Sequence, residues 1–277
     1  MAATTSSTLD DLFANIIMQA RFTAEENSLM AGLITRYDIG NVAGTTIQVP
    51  KYPAVTAADL TEGTDMSSST VSTSGVTVTV GEVGAQVLLT DMAAMGAGNP
   101  AQELGTVLGN SIATKMDKDI IALFDGFSTS LGAAGQEITV ADLFKAAATL
   151  RNAKATGPVY AVVHPYHAYQ LSANLTNTFA NPNGGDLQNE AMRNGFVGSI
   201  GGIEVYQSAN ITPDGSDDAI GCVFTREAMC IAMKRDFNLE TERDASNRAF
   251  ELNATAVYGV GELDDSYGVE MLFDAAL

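Results

Sequence analysis

Between residues 45 and 91 the chain alternates β-branched with small polar residues and never supplies the large side chains that would close a core. Ile47 and Val49 alternate with Thr46 and Gln48 until Pro50 and Pro53 interrupt the run. Val76, Val78 and Val80 alternate with Thr77 and Thr79, and Val83, Ala85, Val87 and Leu89 continue the period of two. Glu62, Gly63, Thr64, Asp65, Met66 and three serines form a polar loop between the runs. The pattern predicts a long two-stranded excursion. Two strands alone bury too little apolar surface to be stable in water, so something else must cover this arm. A partner subunit is the economical candidate.

The flanking segments carry helical spacing. Residues 1–8 read as a loose arm, and Leu9, Leu12, Phe13, Ile16, Ile17, Leu29, Leu33 and Ile34 then recur at helical intervals until a break at 36–44. Asn99, Pro100 and Gln102 make a well-formed helix start. Leu104, Val107, Leu108, Ile112, Met116, Ile120, Leu123 and Phe124 follow in one apolar stripe as far as Gly126. The spacing predicts a helix of about 26 residues, about 39 Å long.

From Thr139 the pattern is mixed α/β. Leu143, Phe144, Ala147 and Leu150 mark a helix that Thr139 can cap, Val159–Val163 reads as a strand, and His164-Pro165 opens a helix through Leu171. Residues 174–196 read as a mobile loop around Asn181, Pro182, Asn183, Gly184 and Gly185. Strands are predicted at 203–206, 222–225, 230–233 and 269–273, and the alternation of Leu252, Ala254, Ala256 and Tyr258 suggests a second sheet. Neither an internal repeat nor an interdomain linker is visible.

Composition narrows the function. Of 277 residues 46% are hydrophobic, which marks a globular chain, while 17% are charged, below the roughly 25% of ordinary soluble domains. Surfaces rich in Ser, Thr, Gly and Ala are covered by neighbours at little desolvation cost, as large assemblies require. The net charge of −19 argues against autonomous nucleic-acid binding, which needs clustered Lys and Arg. The densest basic spot, Lys234-Arg235, is followed at once by Asp236. Cys222 and Cys230 form no CxxC motif and read as small buried hydrophobes in a reducing cytoplasm. Neither a signal peptide nor a membrane-length apolar run is recognisable.

Sharper chemical readings find little support in the residues. His164 and His167 stand at i, i+3 but lack a nearby carboxylate or Cys at ligand spacing, so a helix-start histidine satisfying backbone groups is preferred to a metal pair. Gly195, Gly198, Gly201 and Gly202 are followed by alternating residues rather than a helix, which favours a tight turn over a phosphate cradle. Asp214, Asp217 and Asp218, with Asp264 and Asp265, fit no EF-hand loop and read as solvated turns. Without a GxSxG elbow, a catalytic triad has no support. No catalytic, cofactor or metal residue is assigned, and the chain is not expected to be an enzyme.

The order of these parts resembles the major capsid proteins of tailed bacteriophages that share the HK97 fold. The residues that carry the likeness are Thr46-Ile47-Gln48-Val49-Pro50, Leu60-Thr61-Glu62-Gly63 and Leu88-Leu89-Thr90-Asp91 on the hairpin, with Val162-Val163-His164-Pro165 before a helix. Further on, the glycine turn from Gly198 into a strand ending at Ser208 resembles the family pattern, as does Glu240-Thr241-Glu242-Arg243-Asp244 followed by Ala256-Val257-Tyr258-Gly259. The resemblance implies an α+β, HK97-like capsid fold. Its parts would be an N-terminal arm (1–44), an E-loop hairpin (45–91), a peripheral domain (92–135 and 236–264) with a spine helix at 100–125, and a mixed α/β axial domain (136–235 and 265–277).

The function so implied is that of a self-assembling structural subunit, forming hexamers and pentamers that enclose double-stranded DNA in the virion, assembled in the host cytoplasm. Val76, Val78, Val80, Glu62 and Met66 would contact a neighbouring subunit, and Gly44, Gly81 and Gly84 would serve as hinges. A separate scaffolding protein, a portal and a decoration protein are the partners implied, and no membrane or cofactor is. Some members weld subunits through an E-loop lysine, but 52–91 holds no lysine and Lys51 sits at the hairpin base, so no crosslinks are expected. An encapsulin-type compartment shell is the alternative, and a secreted surface-layer protein a more distant one.

Overall fold

The computed structural model describes residues 29–40, 43–53, 55–63, 65, 68, 70–96, 100–178 and 198–276. The helical pattern at Leu9–Ile17, the Asn99 cap, Met66, Gly195 and the loop at 181–185 lie outside the described residues.

Three sheets organise the described residues. The first has four strands in the order β1 (Thr35–Asp38), β10 (Met229–Asp244), β11 (Ala249–Glu262) and β4 (Gly81–Thr90). The second has six, in the order β5 (Ser130–Gly132), β12 (Gly268–Asp274), β9 (Asp218–Thr225), β6 (Val159–Val163), β8 (Ile203–Gln207) and β7 (Ser199–Ile200). The third is the two-stranded pair of β2 (Thr46–Lys51) and β3 (Ser74–Thr79).

A long helix, Pro100–Ile121, backs the four-stranded sheet. At 22 residues it is about 33 Å long, and a single 3-10 turn, Phe124–Gly126, follows. Leu108, Ile112, Ile120 and Phe124 are buried in one cluster with Leu252, Ala254, Ala256 and Tyr258 of β11. The period of two puts those four β11 residues on one face, and the two alanines let the helix lie close. Polar ties fix its position: Tyr258 Oη donates to Asp119 at 2.8 Å, and the Met30 amide donates to buried Asp117 at 3.2 Å.

The six-stranded sheet packs against the helix Val140–Asn152 through Ile138, Leu143, Ala146, Ala147 and Leu150. Thr139 precedes that helix in extended conformation, and the Asp142 carboxylate accepts from its amide (3.2 Å) and hydroxyl (2.6 Å). The helix Pro165–Thr178 begins directly after β6. The chain passes from one sheet to the other between β9 and β10, where the Ala228 amide donates to the Thr225 carbonyl at 2.9 Å.

One expectation needs correcting. The hairpin is not two-stranded throughout 45–91. Only β2 and β3 pair with each other, in register from Thr46 opposite Thr79 to Lys51 opposite Ser74. Residues 81–90 instead join the four-stranded sheet beside β11, from Thr90 opposite Ala249 to Gly81 opposite Tyr258. The alternation changes phase after Val80, from even to odd positions, at the point where the partner changes. Val83, Ala85 and Val87 use it to pack onto the main core.

Candidate inter-subunit interface

The arm divides into a root and a distal segment. At the root, Val78 and Val80 are 2% and 7% exposed, and they cluster with Ile39, Cys230 and Ala232. Val76, Ile47, Tyr37, Val257 and Leu263 pack around that cluster, half-buried. The Val80 amide donates to the Thr45 carbonyl at 2.9 Å. Lys51 Nζ lies 2.6 Å from Asp264 Oδ2, and Lys234 Nζ donates to the Gly44 carbonyl. Burial opposes ionisation of Asp264, but the bonds from Lys51 and Ser266 outweigh it and hold the carboxyl below its ordinary pKa.

The valines at 76, 78 and 80 gain their burial from their own chain, through strands that lie some 150 residues further along the sequence, so Val78 and Val80 present almost nothing to a neighbour. Glu62 is exposed on the distal segment. Of the expected hinges, Gly81 and Gly84 are ladder members opposite Tyr258 and Thr255, which ties them to the body. Gly44 has φ +103, a conformation that side chains disfavour.

The distal segment, 52–73, holds what the sequence reading missed. None of its described residues belongs to a strand or helix. Tyr52 (69%), Leu60 (66%), Val55 (58%) and Val71 (47%) are all open to solvent. The available signal was the presence of large apolar side chains in a Ser/Thr-rich stretch without strand periodicity. Asp59, Glu62 and Asp65 give the segment three carboxylates, and it has no Lys or Arg.

The other residues singled out in the sequence serve the fold. His164 Nδ1 accepts from the Tyr166 amide at 3.3 Å at the start of its helix, and His167 Nε2 bonds the Phe273 carbonyl at 3.1 Å. Among the described residues no group of His, Cys, Asp or Glu is arranged to hold a metal ion. Gly201 and Gly202, at φ +60 and +87, form the tight turn between β7 and β8, and the Phe144 ring fills the space a side chain on Gly201 would need. Asp214 closes its own turn by accepting from the Ser216 and Asp218 amides. Asp264 does the same for Ser266, and Asp265 accepts from the Ser128 amide at 2.7 Å. Both cysteines are buried and free. Burial pushes the Cys222 thiol well up and that of Cys230 to about 11, so neither is an activated nucleophile. Among the described residues no helix is long and apolar enough to cross a membrane.

A projecting arm on a body of one helix-backed sheet and one α/β sheet defines the HK97-like capsid fold, the fold of shell-building subunits. The solved structures agree. The chain superposes on a structure from Mycobacterium phage Che8 with a TM-score of 0.71 at 19% identity, covering 88% of this chain and 90% of that one. The head structure of Helicobacter pylori bacteriophage KHP40 gives 0.70 at 14% identity, with 90% and 92% covered. A virus-like particle from Pyrococcus furiosus gives 0.64 at 11% identity, with 94% and 98% covered. No curated protein matches the chain by sequence. The family model for phage capsid proteins matches residues 72–270, and the chain belongs to that family. It is a structural subunit of a phage capsid, and this family match favours neither a compartment shell nor a surface-layer protein.

Proposed function

We propose that this chain forms hexamers and pentamers that close an icosahedral head around double-stranded DNA, each subunit laying segment 52–73 across its neighbour. The observation that carries this reading is the exposure of Tyr52, Val55, Leu60 and Val71 on a segment that leaves the body and is not covered by it. Burying one such side chain contributes about 1.5–3 kcal/mol, a modest contact that closed symmetry repeats over a whole shell. Glu62, on the same segment, belongs to this contact, and Met66 is assigned to it from sequence.

In this reading the four-stranded sheet and long helix form the wall as the peripheral domain, and the six-stranded sheet surrounds the capsomer axis as the axial domain. A separate scaffolding protein and a portal act during assembly in the host cytoplasm, and decoration proteins bind outside if at all. The interior contains DNA by exclusion, since a chain of net charge −19 repels phosphates. The subunit performs no catalysis. It forms no covalent crosslinks either: Lys51, the sole lysine of 45–91, is engaged by Asp264.

The test is negative-stain electron microscopy of the purified full-length chain, alone and with a candidate scaffolding protein, beside a Leu60→Asp/Val71→Asp variant. Polyhedral shells, tubes or hexameric rings are expected from the parent chain and a folded monomer from the variant. A uniform monomer from the parent in every condition would overturn the proposal.

A further inference from the structure

The outer face of the four-stranded sheet, opposite the long helix, carries a small block of minimal side chains. Cys230 stands directly opposite Gly261, and Ala232 directly opposite Gly259, on the adjacent strands β10 and β11. Strand β3 lies against this block. A Cβ on Gly259 would come within 2.3 Å of the Thr79 carbonyl oxygen, and one on Gly261 within 2.7 Å of Val78 Cγ2. Both distances are shorter than real carbon contacts allow, so the two glycines are what lets the arm sit down on the sheet. Cys230 and Ala232 are both fully buried beneath Val78 and Val80. At the far end of the root, the ion pair between Lys51 and Asp264 ties the last residue of β2 to the loop that follows β11.

We propose that Cys230, Ala232, Gly259 and Gly261 form a socket that fixes the arm's root as part of the subunit body, with the ion pair between Lys51 and Asp264 as its latch. The joint at which the arm adapts to different neighbours then lies beyond Lys51 and Ser74, in 52–73, and not at the root glycines. This rests on the capsid reading above for what the arm contacts, but the socket itself is a property of the single chain. Its physical basis is simple: the root strand has an apolar face on each residue that meets the sheet, and its hydrogen bonds close within the pair. The described residues of the distal segment pair with no strand, and Tyr52, Val55, Leu60 and Val71 stand open to solvent.

The full-length, unassembled chain tests this by hydrogen–deuterium exchange. Amides of 75–80 are expected to exchange at least about tenfold more slowly than those of 55–63, matching the protected amides of β11. In a Gly259→Ala/Gly261→Ala variant the protection of 75–80 falls to that of 55–63, while 81–90 keeps its own through its ladder with β11. Lys51→Met is the milder probe. The pair it removes is half-exposed on the Lys51 side and contributes modestly, and a rise of about two- to fivefold confined to 46–51 and 74–79 is expected. Rapid exchange at 75–80 in the parent beside a protected β11 would overturn the socket, and unchanged rates in Lys51→Met would overturn the latch. Microscopy of the same preparation separates the two proposals. A chain that never assembles but protects 75–80 removes the capsid reading and leaves the socket; shells built from subunits with an unprotected root do the reverse.

Discussion

His167 is fully buried, with Nε2 on the Phe273 carbonyl and no partner for Nδ1. A carbonyl acceptor requires the proton on Nε2, which leaves Nδ1 as a bare lone pair. Protonating it would place a cation in a buried site, favoured only by the Phe273 and Asp274 backbone and the Asp274 charge. Burial accordingly holds the His167 pKa below the ordinary 6.5, against the opposing pull of the Phe273 carbonyl, and burial lowers His164 as well. The unfolded chain therefore takes up protons first as pH falls. The stabilising contribution is complete above 6.5 and is lost from there down to the depressed native value. The urea midpoint should drop between pH 7 and pH 5, with a slope of up to about 1.4 kcal/mol per pH unit for each group. His167→Gln keeps an N–H for the carbonyl and should flatten that drop. A parent midpoint that does not move across the window would refute the assignment.

Elements whose signal is local are legible in the sequence itself. The helix Val140–Asn152 follows Thr139 as its spacing predicts, because its start is written within seven residues: Asp142 accepts from Thr139 and pairs with Lys145 Nζ at 2.7 Å. Burial works against ionisation of Asp142, but those bonds prevail and its pKa is lowered. Asp142→Ala should cost about 1 kcal/mol, the usual loss for a helix start, read as a lower urea midpoint. An unchanged midpoint would mean that packing of Leu143 and Leu150 alone sets this helix. What escapes the sequence is non-local. The apolar positions shift from even (Val76, Val78, Val80) to odd (Val83, Ala85, Val87, Leu89), which marks a break after Val80 but does not say that β3 pairs with β2 and β4 with β11. The deciding contacts come from residues 249–258, far along the chain. The burial of Val78 and Val80 within the subunit is hidden for the same reason, since the residues that cover them, Cys230 and Ala232, are distant in sequence. Tyr52, Val55, Leu60 and Val71 do not stand out in the sequence because exposure of an apolar side chain leaves no periodic trace.

At the scale of the molecule, charge and arm pull in opposite directions. Every subunit carries −19, and the distal arm brings three of its carboxylates and no cation to whatever neighbour it meets. Subunits of like charge repel over about a Debye length, ~10 Å at 0.1 M salt and ~3 Å at 1 M. The apolar contacts proposed for Tyr52, Leu60, Val55 and Val71 do not weaken with salt. Assembly should therefore be easier in salt. Raising NaCl from about 0.05 M to about 0.5 M should lower the protein concentration at which light scattering and sedimentation report shells, several-fold or more. Sodium sulfate at matched ionic strength should act more strongly, because it also favours apolar burial. The opposite result has a clear meaning. Shells that dissolve as salt rises would be held by charge pairs across the interface, and the carboxylates at 59, 62 and 65, rather than the apolar side chains between them, would be the groups that choose the neighbour.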